Sequence, residues 1–172
     1  MPIEQNPFAI LTFIAAPAIL TNACSTLALG TSNRFARNID RARVLIKLIE
    51  DAHNPNTPPR PPAELALWHT LLGILHRRST LLVRALSAFY FGIGSFAAAS
   101  LASLLGAILS ATNHPHLLIP VLVVALASGV AGLLGLGVGG ATLVKETRLA
   151  MRAITEESRY YAGRLPEAPN AT

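Results

Sequence analysis

Residues 85–144 read ALSAFYFGIGSFAAASLASLLGAILSATNHPHLLIPVLVVALASGVAGLLGLGVGGATLV, two apolar runs hinged at Thr112-Asn113-His114-Pro115-His116. Each run is longer than the roughly 20 residues with which an α-helix crosses a bilayer core of about 30 Å. Neither run contains an Asp, Glu, Lys or Arg. A chain of 172 residues has no soluble core able to surround two such helices, so lipid is the expected solvent. The stretch predicts a membrane hairpin, with spans at about 85–111 and 117–144.

Composition agrees with that reading. Hydrophobic residues make up 52% of the chain and charged residues 13%, which is poor in charge for a soluble domain. The net charge of +5 raises nucleic acid as a partner, but the positions of the charges argue against it. All 14 Lys and Arg lie between Arg34 and Arg84 or between Lys145 and Arg164, the segments flanking the apolar runs. None precedes Arg34, and none lies in the loop between the second and third runs. This is the asymmetry of cytoplasmic loops in membrane proteins, with anionic lipid as the expected counter-charge. The single cysteine excludes an internal disulfide framework and makes a cysteine-based zinc site a poor reading.

Phe8 to Gly30 forms another uncharged run, long enough to span. No Lys or Arg precedes it, as a signal peptide would require, and Leu20-Thr21-Asn22-Ala23 is a poor lipoprotein cleavage site ahead of Cys24. Pro17 is expected to bend this helix. Asn22, polar within the span, is expected to face other helices.

The helices are expected to continue past the membrane. Between Asn33 and Glu50, Phe35, Ile39, Ala42, Ile46 and Ile49 recur at steps of four and three, a heptad seam. Residues 53–62 carry Pro55, Pro58, Pro59, Pro61 and Pro62 and predict an extended connector. A second seam follows at Leu65, Trp68, Leu72, Leu75, Ser79, Leu82 and Leu86, and Phe89, Tyr90 and Phe91 fit an interfacial aromatic belt. The third reads Thr147, Met151, Ile154, Ser158, Tyr161 and Leu165. The expected fold is an all-α membrane protein of three long transmembrane helices, N-terminus outside and C-terminus cytoplasmic. Its extensions at about 31–52, 63–84 and 145–165 form a cytoplasmic, antiparallel, coiled-coil-like three-helix bundle. Trp68 and Tyr161 should share a layer in it, facing Ile46 or Ile49, and residues 166–172 are expected to be a disordered tail.

Inside a membrane, helix association depends on close backbone approach. Ala127, Ala131, Gly135 and Gly139 step by four along the third run, and Ser95, Ala99 and Ser103 along the second. They are read as a helix-packing or docking face, for the chain's own helices, a second copy or another subunit. Gly135-Leu-Gly137-Val-Gly139-Gly140 superficially resembles a phosphate-binding loop, but such a loop follows a strand and opens a helix. His114 and His116 lack a third metal ligand, and His69 and His76 share a face without an acidic partner. No catalytic set, metal site or cofactor is expected. The most plausible functional chemistry is a basic collar of Arg34, Arg37, Arg41, Arg77, Arg78, Arg84, Lys145, Arg148 and Arg152, read as contacting lipid headgroups.

Asn33-Arg-Phe-Ala-Arg-Asn-Ile-Asp-Arg-Ala-Arg43, with Leu75-His-Arg-Arg78 and Glu146-Thr-Arg-Leu-Ala-Met-Arg152, resembles the small bacterial membrane proteins catalogued as domain of unknown function 2721. The resemblance covers nearly the whole chain apart from the connector and the tail. It implies three spans in a bacterial inner membrane and carries no activity to transfer. The expected function is then a non-enzymatic accessory or scaffold subunit docking on a larger membrane complex, respiratory or photosynthetic among the candidates. The alternative is a small anionic-lipid-binding or transport-related protein. The expected partners are anionic lipids and other membrane subunits or a second copy.

Overall fold

A computed structural model describes residues 7–112 and 115–162, with side chains for 15–112 and 116–162. Among the described residues there is no strand. The described residues form three helices, α1 (Pro7–Ala52), α2 (Pro62–Ala111) and α3 (Pro115–Ala162). The expected tail, Leu165 of the third seam, and Asn113 and His114 of the hinge lie outside the described residues.

Local chemistry sets the ends of α1 and α2. The α1 terminus tightens as His53 and Asn54 donate to the carbonyls of Glu50 and Asp51 at 3.1 and 3.2 Å. The connector is not wholly extended as expected. Asn54 Oδ1 accepts from the Asn56 amide at 3.1 Å, and the Thr57 amide donates to Asn54 O at 3.0 Å, making an Asx-type turn around Pro55. Pro62 opens α2, where its missing N–H costs nothing.

The chain divides into two compact units, Met1–Ser32 with Arg84–Ala141 and Asn33–Val83 with Thr142–Thr172. In the first, glycines receive aromatic rings. A Cβ on Gly139 would stand 2.5 Å from Phe89 Cε1, and one on Gly132 would stand 2.7 Å from Phe96 Cε1. Between them, a Cβ on Gly135 would meet Ala88 O at 2.9 Å, so α2 and α3 touch backbone to backbone there. Gly92 faces Cys24 Sγ of α1 and the Gly132 carbonyl of α3. Phe89 is therefore fully buried rather than part of an aromatic belt, while Tyr90 and Phe91 are exposed.

Gly135 and Gly139 thus pack the chain on itself, and so does Ala99, which is buried. The expected α3 stripe was displaced at its start, because Ala127 is exposed and Ala131 half-buried while Gly132 takes the tight position. Ser95 and Ser103 are half-buried. Asn22 is exposed rather than turned to a neighbour, because the inward face of α1 runs through Thr21, Cys24 and Ala28.

Helices α2 and α3 are long and apolar enough to cross a membrane, with 22% and 6% of their most apolar windows buried. The core helix of a soluble protein would be mostly buried. Here Leu101, Leu105, Leu122, Leu126 and Leu134 stand outward, as lipid-facing residues do. Among the described residues α1 does not reach the same apolarity. Its polar letters Thr21, Asn22, Ser25 and Thr26 fall within the expected span.

In the second unit, Leu45, Trp68, Leu71, Leu75 and Ala153 form the core, with Ile49 and Leu65 against it. The seam of α1 runs Phe35, Asn38, Ala42, Leu45, Ile49, and Ile46 is exposed. That of α3 runs Glu146, Ala150, Ala153, Glu157, Tyr160. The expected α3 seam was off by one residue, since Met151, Ile154 and Tyr161 are exposed. It followed the apolar letters, whereas the inward face carries small and charged ones. Trp68 and Tyr161 do line one cavity, beside Leu45.

The glycine contacts predict a contrast. Gly135→Ala should lower hairpin stability by about 1–3 kcal/mol, because backbone must shift to admit the methyl. Gly137→Ala, which meets nothing within 4 Å, should be neutral or stabilising. Thermal unfolding of both variants in the same detergent checks this, and equal stability would contradict the packing.

Candidate functional site

The second unit holds a cavity of about 370 Å³ lined by Arg34, Arg37, Asn38 and Arg41 of α1, Arg78 of α2, and Glu146, Thr147 and Ala150 of α3. The α1 residues are spaced three, one and three apart, which places them on one helical face. Four arginines would repel one another without a carboxylate among them. Glu146 fills that role and is 2% exposed. Its Oε1 accepts from Arg78 Nε at 2.8 Å and lies 2.7 Å from Nη2, so one carboxylate oxygen receives the side edge of the guanidinium. Oε2 lies 3.9 Å from Arg34 Nη1.

Burial makes this pair costly to break. Arg78 is largely enclosed, with its side chain 18% exposed, and removing either charge strands the other away from water. Arg41 is engaged differently, donating from Nη2 to Glu157 Oε2 near the surface. Arg37 donates from Nε to Asn33 O at 3.3 Å and has no carboxylate within 4.0 Å among the described residues. Among the described residues, four arginines therefore meet two carboxylates, Glu146 and Glu157, leaving two positive charges in excess at the cavity. Such an arrangement fits an anion.

Asn38 completes the wall. It is 4% exposed, and its Nδ2 donates to Leu75 O at 2.9 Å and to Ser79 Oγ at 2.8 Å, linking α1 to α2. Its Oδ1 is buried and has no hydrogen-bond partner among the described residues.

Of the basic collar, the cavity gathers Arg34, Arg37, Arg41 and Arg78. Arg77 and Arg152 instead line a second cavity with Thr155 and Glu156. Lys145 and Arg148 are exposed and line neither. Arg84 is exposed and belongs to the first unit. Sequence reasoning missed Glu146 and Asn38. One acidic letter in a basic segment and one Asn beside the expected seam position Ile39 were the signals, and each gains meaning from its partner on another helix.

The arrangement is an all-helical chain with two helices fit to cross a membrane and a basic cavity fit for an anion. The chain belongs to the family described as protein of unknown function (DUF2721), whose model matches residues 14–156. No curated protein and no solved structure matches it.

The buried pair makes its own prediction. Glu146→Gln should destabilise the protein by about 3–5 kcal/mol, because Arg78 loses its counter-charge. The double replacement Arg78→Met with Glu146→Met should cost clearly less than the two single changes summed. Melting temperatures of the four proteins close the cycle, and simple additivity would show that the charges are not coupled.

Proposed function

We propose that the protein is an integral protein of the bacterial inner membrane that binds an anionic phosphate-bearing group, with a lipid headgroup as the first source. The observation that carries this reading is the excess of arginine over carboxylate around one cavity. In this reading the protein crosses the membrane three times, with its N-terminus outside and its C-terminus in the cytoplasm, and it binds without catalysing a reaction.

The charge distribution supports the orientation, since Lys and Arg are confined to segments that a cytoplasmic C-terminus would place inside. The hydroxyls of α1 support the third span. Thr21, Ser25, Thr26 and Thr31 each donate to the carbonyl four residues earlier, at 2.7 to 3.0 Å, so their polarity is satisfied within the helix. In sequence, Glu146 follows the apolar run ending at Val144 by two residues, and Arg34 follows Gly30 by four. A bilayer surface is therefore close along the chain, and there each basic side chain contributes about 1 kcal/mol to the attraction of anionic lipid.

A second reading, an accessory or scaffold subunit, is supported by a different observation. An open groove is lined by Gly94, Ser95, Ala98, Ala127, Ser128 and Ala131, residues small enough to admit another helix. Gly135 and Gly139 do not support it, because the backbone of α2 at Ala88 and Gly92 occupies the space beside Gly135 and the ring of Phe89 the space beside Gly139.

Extraction in mild detergent followed by native mass spectrometry tests the proposal. The wild type should retain an anionic phospholipid, and Arg34→Gln with Arg37→Gln should lower the retained fraction at least about tenfold, the loss of roughly two surface charges' attraction. Equal retention by the variant would count against the site. Stoichiometric co-migration of other membrane subunits without bound lipid would favour the scaffold.

A further inference from the structure

We propose, resting on the three-span reading above, that Asn22 joins α1 to the α1 of a second copy of this chain. The two carboxamides hydrogen-bond to each other inside the membrane.

Among the described side chains of the run Phe8 to Gly30, Asn22 is the one whose nitrogen and oxygen the chain leaves unserved. Thr21, Ser25 and Thr26 each donate a hydroxyl hydrogen to the carbonyl four residues earlier, at 2.9 to 3.0 Å. The Asn22 carboxamide makes no hydrogen bond among the described residues, and the residue is exposed. Ile19 is the middle residue of the run, so Asn22 lies about 4.5 Å along the helix from the centre of a hydrocarbon core of about 30 Å. From that depth a carboxamide is too short to reach the interface as lysine and arginine do. Two donor hydrogens and an acceptor left in hydrocarbon are costly, and a second helix removes the cost.

The face around Asn22 is shaped for that helix. Ala18, Asn22, Ser25 and Leu29 follow at steps of four, three and four, the spacing of a seam between two helices. All four are exposed, and they lie apart from the inward face at Thr21, Cys24 and Ala28. Alanine and serine on either side of Asn22 let another backbone approach closely enough for a short side chain to bridge.

Depth and complementarity select a second copy over a different protein. Copies inserted with the same topology present Asn22 at the same depth, and a two-fold axis along the membrane normal sets each seam residue against itself. Each carboxamide then donates to the oxygen of the other. A different subunit would need its own polar residue at that depth, whereas a second copy always carries one. A single asparagine on a heptad seam also fixes the register of the pair.

Full-length protein in phosphatidylcholine–phosphatidylglycerol vesicles tests this, with association read as energy transfer between donor- and acceptor-labelled copies during dilution in lipid. Asn22→Leu should need about a tenfold higher protein-to-lipid ratio for half-maximal transfer, the worth of the carboxamide pair. Leucine makes α1 more apolar, so insertion is not at risk, and Asn22→Gln should restore most of the association. In a Cys24→Ala background, Ser25→Cys on the seam should form disulfide-linked dimers under oxidation, and Ala23→Cys off the seam should not. Unchanged association of Asn22→Leu, equal cross-linking at the two positions, or no transfer by the wild type would overturn the proposal. Asn22→Cys in the same background tests the span separately with a water-soluble maleimide. Shielding without self-association would overturn the pairing and leave the third span standing, while labelling as fast as in denatured protein would overturn both.

Discussion

The buried carboxylate of Glu146 is the constraint on which the second unit depends. It sits at 2% exposure on a seam that the heptad rule reserves for apolar residues, and it is tolerable there only because Arg78 closes on it at 2.8 Å. The same carboxylate draws Arg34 of α1 toward α3. Three helices are thereby tied by one charge, beside a core built from Leu45, Trp68, Leu71, Leu75 and Ala153. A well-packed leucine at this position would serve stability as well or better. What a leucine would not do is hold Arg78 and Arg34, two of the four arginines of the cavity wall, around a counter-charge.

The first unit solves a different problem with a different vocabulary. Its helices have no hydrophobic drive to associate if lipid surrounds them, so contact must come from shape. Phe89 and Phe96 lie seven residues apart on α2, and Gly139 and Gly132 seven apart on α3, each ring filling the place of an absent side chain. Gly92 and Gly135 between them let backbones meet. Along each helix, then, glycine and aromatic residues give way to leucine, arginine and glutamate as the element passes from one unit to the other.

Much of the fold was legible because it is written in long periodic runs. The three helices, the proline break before α2 and the seam of α2 through Trp68, Leu75 and Leu82 all follow from apolar spacing. The seam of α3 did not, because a pattern reader counts Met151, Ile154 and Tyr161 as inward and cannot know that Glu146 finds Arg78. The same limit applied in the apolar runs. Small residues were recognised as packing material, yet Gly132 and Gly92 were passed over, since only the facing ring or backbone shows which glycine is needed. Of the cavity, the arginines were visible as a charge cluster. The division of the collar into four arginines that converge and four arginines and Lys145 that do not required the helices to be placed.

In the proposed function, Arg34 and Arg37 meet phosphate at this cavity. The most direct measurement is ¹⁵N–³¹P recoupling by solid-state NMR on arginine-labelled protein in phosphatidylglycerol bilayers. A guanidinium bonded to a phosphate oxygen places nitrogen and phosphorus within about 4 Å. Strong dephasing of arginine side-chain signals is expected in the wild type, and it should disappear when both residues become glutamine. Dephasing that is absent from the wild type, or that persists unchanged in the variant, would contradict it.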